Sequence, residues 1–377
     1  MEAMSVPYNG WLETLTHQAR LREEAGLRRS ATPRVPAVDL AGNDYLGLSS
    51  DPRVTAAACR ALSRHGLGAT GSRLVRGTTD LHEELEQALA EWIGVDGTLV
   101  YSSGYLANLG AIRALTGLSP DTVILSDAHC HASMVDGCRL ARVETVVFPH
   151  GSVPALEEAL ARLAGRPKVV LTESVFSVDG DLAPLASYHR VARSHGALLL
   201  IDDAHGLGVI GPSGAGGASF LAAEPDVVIT ATLSKALGGA GGFIAGPSPL
   251  MRHLVDTSRT FIFDTALAPA VAAGVRAALD IARSAEGDAL RLELHERAHM
   301  LDPSAPGGVI SVLAQGPRQA LRWASACRDK GVAVGCFRPP STPDKTSRLR
   351  LTVNAGVPRD LFEHALEVIE ECRPSAE

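Results

Sequence analysis

Lys235 stands between an apolar run, Val227-Val-Ile-Thr230, and a glycine-rich one, Gly238-Gly-Ala-Gly-Gly242, with Ser234 one residue and Thr232 three residues before it. A lysine so flanked suits an amine that forms a Schiff base beside a phosphate, the hydroxyls holding the phosphate and Lys235 the aldehyde. A surface lysine in a glycine-rich loop fits this stretch alone equally well. The balance shifts with Ala197-Leu-Leu-Leu-Ile-Asp202-Asp-Ala-His205, an unbroken apolar run that ends in two acids and a histidine. Such a run reads as a strand buried on both faces, and the carboxyl ends of parallel strands are where α/β sheets place ligands. Asp202 at that end suits a carboxylate that keeps a pyridine nitrogen protonated and so makes the ring an electron sink, with His205 in reach of the same ring. A helix N-cap made by Asp202 or Asp203 is the plain structural alternative.

Three further stretches offer chemistry. After a short strand, Thr98-Leu-Val-Tyr101, the turn Ser102-Ser-Gly104-Tyr105 opens a helix. Its unpaired N–H groups suit a phosphate at Gly104 and Tyr105, although any strand-to-helix turn looks similar. The polar loop Ser174-Val-Phe-Ser177-Val-Asp-Gly180 follows another strand and brings Ser177 to a ring oxygen or the phosphate. His129-Cys130-His131 invites a zinc reading, but it lacks finger spacing and no second ligand pair follows, so no metal is assigned. Gly206-Leu-Gly208-Val-Ile-Gly211 matches a dinucleotide-binding pattern. Asp-Asp-Ala-His separates it from its strand, however, and Pro212 follows where a helix should open, so it is read as a decoy.

Taken in order, Asn43-Asp-Tyr-Leu-Gly-Leu48, Gly71-Ser-Arg-Leu-Val-Arg-Gly77, Ser102-Ser-Gly-Tyr105, His129-Cys-His131-Ala-Ser, Glu173-Ser-Val-Phe-Ser177-Val-Asp-Gly180, Asp202-Asp-Ala-His205 and Thr232-Leu-Ser-Lys235 make a chain that resembles the α-oxoamine synthases. The resemblance runs from about Asn43 to the C-terminal helix, and seven motifs in one order are far more specific than any one alone. It implies a fold-type-I transferase with pyridoxal 5'-phosphate as cofactor, joining an amino acid to an acyl-CoA with loss of carbon dioxide. The likeness is greatest to the biotin-pathway member, which implies L-alanine and pimeloyl-CoA or another pimeloyl thioester. Siblings that use glycine with acetyl- or succinyl-CoA, or serine with a long acyl-CoA, stay open, as does a non-catalytic CoA- or nucleotide-binding protein.

Carried over residue by residue, the resemblance implies catalytic roles for Lys235, His131, Asp202 and His205, with His131 stacked on the ring. Gly104, Tyr105, Ser177 and Thr232 complete the cofactor contacts. So does Thr265, donated by the partner subunit of a homodimer with shared active sites. The family usually has Ser-Thr here, and Asp264 departs from it. Substrate contacts fall to Asn43, His131, Thr352, an arginine near Gly26-Leu27, where spacing favours Arg29 over Arg28, and Arg348, which alternates with Arg350 on one strand face. A guanidinium grips a carboxylate through two bonds, which suits Arg348 to the amino acid carboxylate.

These residues need a scaffold. Alternating strands and helices predict an α/β fold, a large domain with a mostly parallel, doubly wound sheet plus a smaller α/β C-terminal domain. The expected segments are an arm helix within 1–42, a large domain over 43–264, and a hinge helix from Pro269 leading the small domain over 265–377. An acid N-cap and proline start a helix at Asp51-Pro52, and Asp80 with Glu83 suggests a capping box for the next. The chain has 377 residues, 46% of them hydrophobic, and a net charge of −7 with no basic run, which argues against nucleic acid or an anionic membrane as partner. Six cysteines without C-x-x-C spacing fit free thiols in a reducing cytoplasm. Met1 to Pro7 lacks the features of a secretory signal.

Overall fold

The computed structural model describes residues 10–375, so the N-terminal expectation for Met1 to Pro7 lies outside the described residues. The apolar runs assemble into a seven-stranded sheet whose spatial order is Gly97–Tyr101, Gly242–Gly246, Val227–Thr232, Ala197–Asp202, Lys168–Glu173, Val123–Asp127 and Thr145–Phe148. The last five run parallel. Gly242–Gly246 lies antiparallel between Gly97–Tyr101 and Val227–Thr232. Every residue of Val123–Asp127, Lys168–Glu173 and Val227–Thr232 is buried, as continuous apolar strands of a covered sheet should be.

Helices Gly104–Thr116 and Ala132–Ala141 pack against one another and on this sheet. Ala107, Ala111 and Ile112 meet Ile124, Leu171, Leu200, Val228 and Ile244 in one cluster. Each fully buried Leu, Ile or Val there contributes ~1.5–3 kcal/mol. Because the strands are parallel and in register, with Glu173 opposite Asp202 and Asp202 opposite Thr230, their polar last residues gather along one edge of the sheet.

The chain divides into two compact units. The larger holds Gly42–Ile310 and Thr352–Pro358; the smaller holds the chain up to Ala41, Ser311–Leu351 and the chain from Arg359 on. The expected hinge helix, Pro269–Ala282, belongs to the larger unit, where it packs on Pro52–His65 and Asp80–Ile93. Its buried face of Ala272, Val275, Ala278 and Leu279 is committed to those helices, so the division falls after Ile310 rather than after 264.

The smaller unit is built on a four-stranded sheet, in the order Val38–Leu40, Val332–Phe337, Ser347–Thr352, Val309–Ala314, with helices Pro317–Asp329 and Arg359–Glu371. Val38–Leu40 pairs parallel with Val332–Phe337 and was not expected, since three residues carry no readable period. The arm helix runs Trp11–Glu24 with Trp11, Leu12 and Leu15 exposed.

Two local readings change. The capping box of Asp80–Ile93 is made by Thr79 with His82, one residue before the Asp80 and Glu83 pair. Beyond Lys235 the glycine-rich run is not all loop, for Gly242–Gly246 is a fully buried strand.

Candidate active site

At the polar edge of the large sheet lies a cavity of about 360 Å³, lined among others by Gly104, Tyr105, His131, Ser177, Asp202, His205, Thr232 and Lys235. Eight residues proposed from sequence thus meet in one place, although they are spread over more than a hundred positions. Asn43, Thr265 and Thr352 belong to the same unit but do not line the cavity. Arg29 and Arg348 belong to the smaller unit.

Asp202 ends its strand only 6% exposed. Its Oδ2 accepts from Asn108 Nδ2 at 2.6 Å and its Oδ1 from the Ala204 N–H at 3.0 Å. Asn108 is itself held, donating to Ser133 Oγ at 2.8 Å and accepting from Thr230 Oγ1 at 2.6 Å. The carboxylate is therefore locked in one orientation by groups on two helices, on the neighbouring strand Val227–Thr232 and in the turn after its own strand.

His131 caps helix Ala132–Ala141, its Nδ1 accepting from the Ser133 N–H at 3.2 Å and standing 2.8 Å from Ser133 Oγ. With Nδ1 accepting, the remaining ring proton sits on Nε2. Burial holds its pKa below the usual histidine value, opposed by Asp202 and assisted by Lys235. His205 is buried, with Nδ1 2.6 Å from the Tyr45 hydroxyl.

Next to Asp202, Asp203 is wholly structural. It takes the Ser174 hydroxyl and the N–H groups of Gly217 and Ala218, and burial raises its pKa to about 6. The decoy glycines Gly208 and Gly211 both have positive φ and lead into a short 3₁₀ turn, so no helix opens at them.

Across the cavity, helix Gly104–Thr116 begins at Ser103, whose hydroxyl takes the Leu106 N–H at 3.1 Å. Thr232 Oγ1 lies 2.7 Å from Ser234 Oγ and donates to the Gly241 carbonyl at 3.0 Å. Strand and helix approach so closely that a Cβ on Gly242 would fall 2.3 Å from both the N and the Cα of Gly104. Glycine is required there, and the approach sets the hydroxyls of Thr232 and Ser234 beside the helix N-terminus. Helix start and hydroxyls together make an anion cradle. Asp264, unassigned from sequence, accepts from the hydroxyl of Ser102 at the cradle's rim.

An anion cradle, a buried carboxylate with two donors and a lysine amine in one cavity are the donor set that a phosphorylated pyridine aldehyde requires. Pyridoxal phosphate therefore fits the residues present.

In the smaller unit Arg348 and Arg350 are buried, not at a solvent edge, since Ser347–Thr352 is an inner strand. Arg348 bonds Asp344 and Thr346, and the Arg350 guanidinium lies 4.7 Å from the centre of the Phe337 ring. Arg29 donates to Ser341 Oγ at 2.6 Å, while Arg28 pairs with Glu23 at 2.9 Å. Both arginines border a cavity of about 750 Å³ that also takes in Arg328 and Arg338. Thr265 is exposed and bridges Ser72; Asn43 is half-buried, with its carbonyl taking the Tyr45 N–H at 2.8 Å; Thr352 is fully buried.

Sequence reasoning gave no role to Asn108, Ser133, Tyr45 or Glu173, whereas the phosphate-holding hydroxyl expected of Ser234 does line the cavity. Tyr45, Ser133 and Glu173 lie within the quoted motifs without a function of their own, and Asn108 lies just beyond Ser102-Ser-Gly-Tyr105.

The family model for class I and II aminotransferases matches residues 35–369. An 8-amino-7-oxononanoate synthase of Mycolicibacterium vanbaalenii is 48% identical over 98% of this chain and 99% of its own. One from Mycolicibacterium gilvum is 49% identical over 96% of each. Among solved structures, serine palmitoyltransferase from S. paucimobilis, determined with pyridoxal phosphate and myriocin, is similar with a TM-score of 0.88. Its identity is 29%, over 98% of both chains.

Proposed function

This chain belongs to the class I and II aminotransferase family, and we propose that within it the protein is an acyltransferase using pyridoxal phosphate. It condenses L-alanine with pimeloyl-CoA, or another pimeloyl thioester, to 8-amino-7-oxononanoate, CoA and carbon dioxide, a step of biotin synthesis. The observation that carries the reading is the cavity in which Lys235, Asp202 and the Gly104 helix start converge.

Bound there, pyridoxal phosphate supplies an electron sink for the electrons left at the alanine Cα. The N–H groups of Gly104 and Tyr105 with the hydroxyls of Thr232 and Ser234 hold its phosphate. Asp202 keeps the ring nitrogen protonated, and Asn108 keeps Asp202 aimed at it. His131 and His205 orient the ring and Ser177 contacts its edge. Lys235 Nζ would anchor the cofactor through its aldehyde and is the amine that would take the alanine Cα proton. Alanine Cα would then bond to the thioester carbonyl carbon as the C–S bond breaks and the thiolate leaves, and loss of the alanine carboxyl as carbon dioxide would leave an electron pair at Cα that a proton returned from Lys235 Nζ takes up. Arg348 is the proposed clamp for a substrate carboxylate and Arg29 the proposed contact of the acyl chain, with Asn43 and Thr352 proposed as further substrate contacts although neither lines the cavity.

The same reading makes the protein a homodimer, with Thr265 offered to the partner's phosphate site. The bridge between Ser72 and Thr265 joins two segments that carry Leu74, Val75 and Phe263, and Val75 is 77% and Phe263 67% exposed.

Purified protein is expected to be yellow and to lose that colour on borohydride reduction, with the reduced label on the Lys235 peptide. Label on Lys168, Lys330 or Lys345 would refute the assignment. Alanine, glycine and serine assayed against pimeloyl-, acetyl-, succinyl- and a long-chain acyl-CoA decide between the proposed reaction and its siblings. Equal or better turnover of glycine with acetyl-CoA moves the chain to the sibling activity.

A further inference from the structure

Glu173 ends the strand Lys168–Glu173, lies directly opposite Asp202 on the neighbouring strand, and lines the same cavity as Asp202 and Lys235. It is 2% exposed. Its Oε2 accepts from the Ser177 N–H at 3.2 Å, while its Oε1 is buried with no hydrogen-bond partner. Two carboxyl groups set side by side in one buried site do not both ionise readily, and the charge settles on the one with the stronger donors. Asp202 takes a side-chain amide at 2.6 Å and a backbone N–H at 3.0 Å, both shorter than the 3.2 Å bond from the Ser177 N–H to Glu173. Burial therefore pushes the Glu173 carboxyl well above the usual range, with Asp202 adding to the rise. Lys235 and the amides of Ser177 and His131 pull the other way. A buried polar oxygen without a partner is costly unless the site's ligand completes it.

We propose that Glu173 is a further cofactor-binding residue: a neutral carboxylic acid whose Oε1 hydroxyl donates a hydrogen bond to the group bound in the cavity, leaving Asp202 as the only carboxylate charge facing it. Serving as a donor distinguishes Glu173 from Asp202, which must accept. The proton on Glu173 also spares Lys235 a second buried anion that would hold its amine protonated when it has to act as a base. This inference rests on the proposed use of pyridoxal phosphate.

The test uses full-length protein and the variants Glu173→Gln and Glu173→Leu. In apoprotein at neutral pH, the infrared difference between the unmutated chain and Glu173→Gln should contain the carbonyl band of a protonated carboxylic acid. A carboxylate band in its place overturns the proposal. In cofactor-loaded protein, Glu173→Gln, a neutral isostere that can still donate, should bind pyridoxal phosphate within about twofold of the parent. The pH midpoint of its bound chromophore should be unchanged. Glu173→Leu should bind it roughly tenfold more weakly. Equal affinity in all three, or a Gln variant as weak as the Leu one, overturns the proposal. Should the Leu variant fail to fold, the infrared band and the Gln chromophore decide alone. A parent protein that takes up no pyridoxal phosphate overturns the functional reading itself, whereas the outcomes above, read in protein that does take it up, bear on Glu173.

Discussion

Lys235 and Asp202 do different work, and substitutions should separate it. In Lys235→Ala the cofactor should still bind through Asp202, His205 and the phosphate cradle, none of which needs the amine. Loss of the general base alone lowers turnover about 10²- to 10⁴-fold, and the lost anchor adds to it. Cofactor stoichiometry by absorbance and turnover measured together should therefore diverge. Asp202→Asn keeps the shape but removes the charge on the ring nitrogen, and should cost about 10²- to 10³-fold in turnover with cofactor still bound. Near-normal turnover would count against the role. Asn108→Ala tests the support. It strips partners from Asp202 Oδ2, Ser133 Oγ and Thr230 Oγ1 at once. Each buried group left unpaired costs ~1–3 kcal/mol, a loss that urea unfolding would register. Lys235, Asp202 and His205 were legible because each sits in a short local motif. Asn108 was not, because its meaning lies in a carboxylate 94 residues away.

Two elements depend on contacts that no local pattern reveals. Strand Gly242–Gly246 reads as loop because glycine is weak in strands, yet glycine is what lets it pass the start of helix Gly104–Thr116. Gly242→Ala should displace that helix start, costing ~1–3 kcal/mol and weakening phosphate binding; unchanged urea midpoint and cofactor affinity would refute the close-approach account. The second contact is a latch. His150 is held between Asp127, at 2.8 Å, and Asp181, at 2.9 Å, and its ring stacks on His129 at 3.8 Å. The latch ties the loop that carries Ser177 to the strand end that precedes His131. Hydrogen bonds that His150 donates to both acids raise its pKa from 6.5 to about 10. A raised folded value means that the stabilisation is fully present below 6.5 and fades as pH climbs through about 10. Asp127, held low by the His150 contact against its own burial, contributes above 3.8 and loses its share as pH falls below that. The gap in urea midpoint between the parent and His150→Gln should thus be widest between 3.8 and 6.5 and close by pH 10. A pH-independent gap would show that the latch is not ionic.

At the scale of the whole molecule, the α/β class with its mostly parallel sheet was legible, because buried parallel strands write themselves as uninterrupted apolar runs. The boundary between the units was less so: helix Pro269–Ala282 looks like a connector until its neighbours Pro52–His65 and Asp80–Ile93 are known, and those lie some two hundred residues earlier. The proposed dimer draws on Thr265, an exposed hydroxyl of the proposed cofactor set that does not line its own chain's cavity. Exposed Leu74, Val75 and Phe263 on the two segments that the Ser72–Thr265 bridge joins suit a covered surface, and a second copy is the occupant that would also deliver Thr265 to a phosphate. Sedimentation should therefore find the unmutated protein dimeric. A double substitution, Val75→Lys with Phe263→Asp, charges this surface without touching a residue that lines the cavity. It should yield a monomer with unchanged circular dichroism and greatly reduced turnover, and cofactor affinity should fall with it if the partner's Thr265 binds the phosphate. Thr265→Ala should reproduce the loss of affinity while the protein stays dimeric. A stable monomer with full activity, in the parent or in the double variant, would sink the shared-site reading.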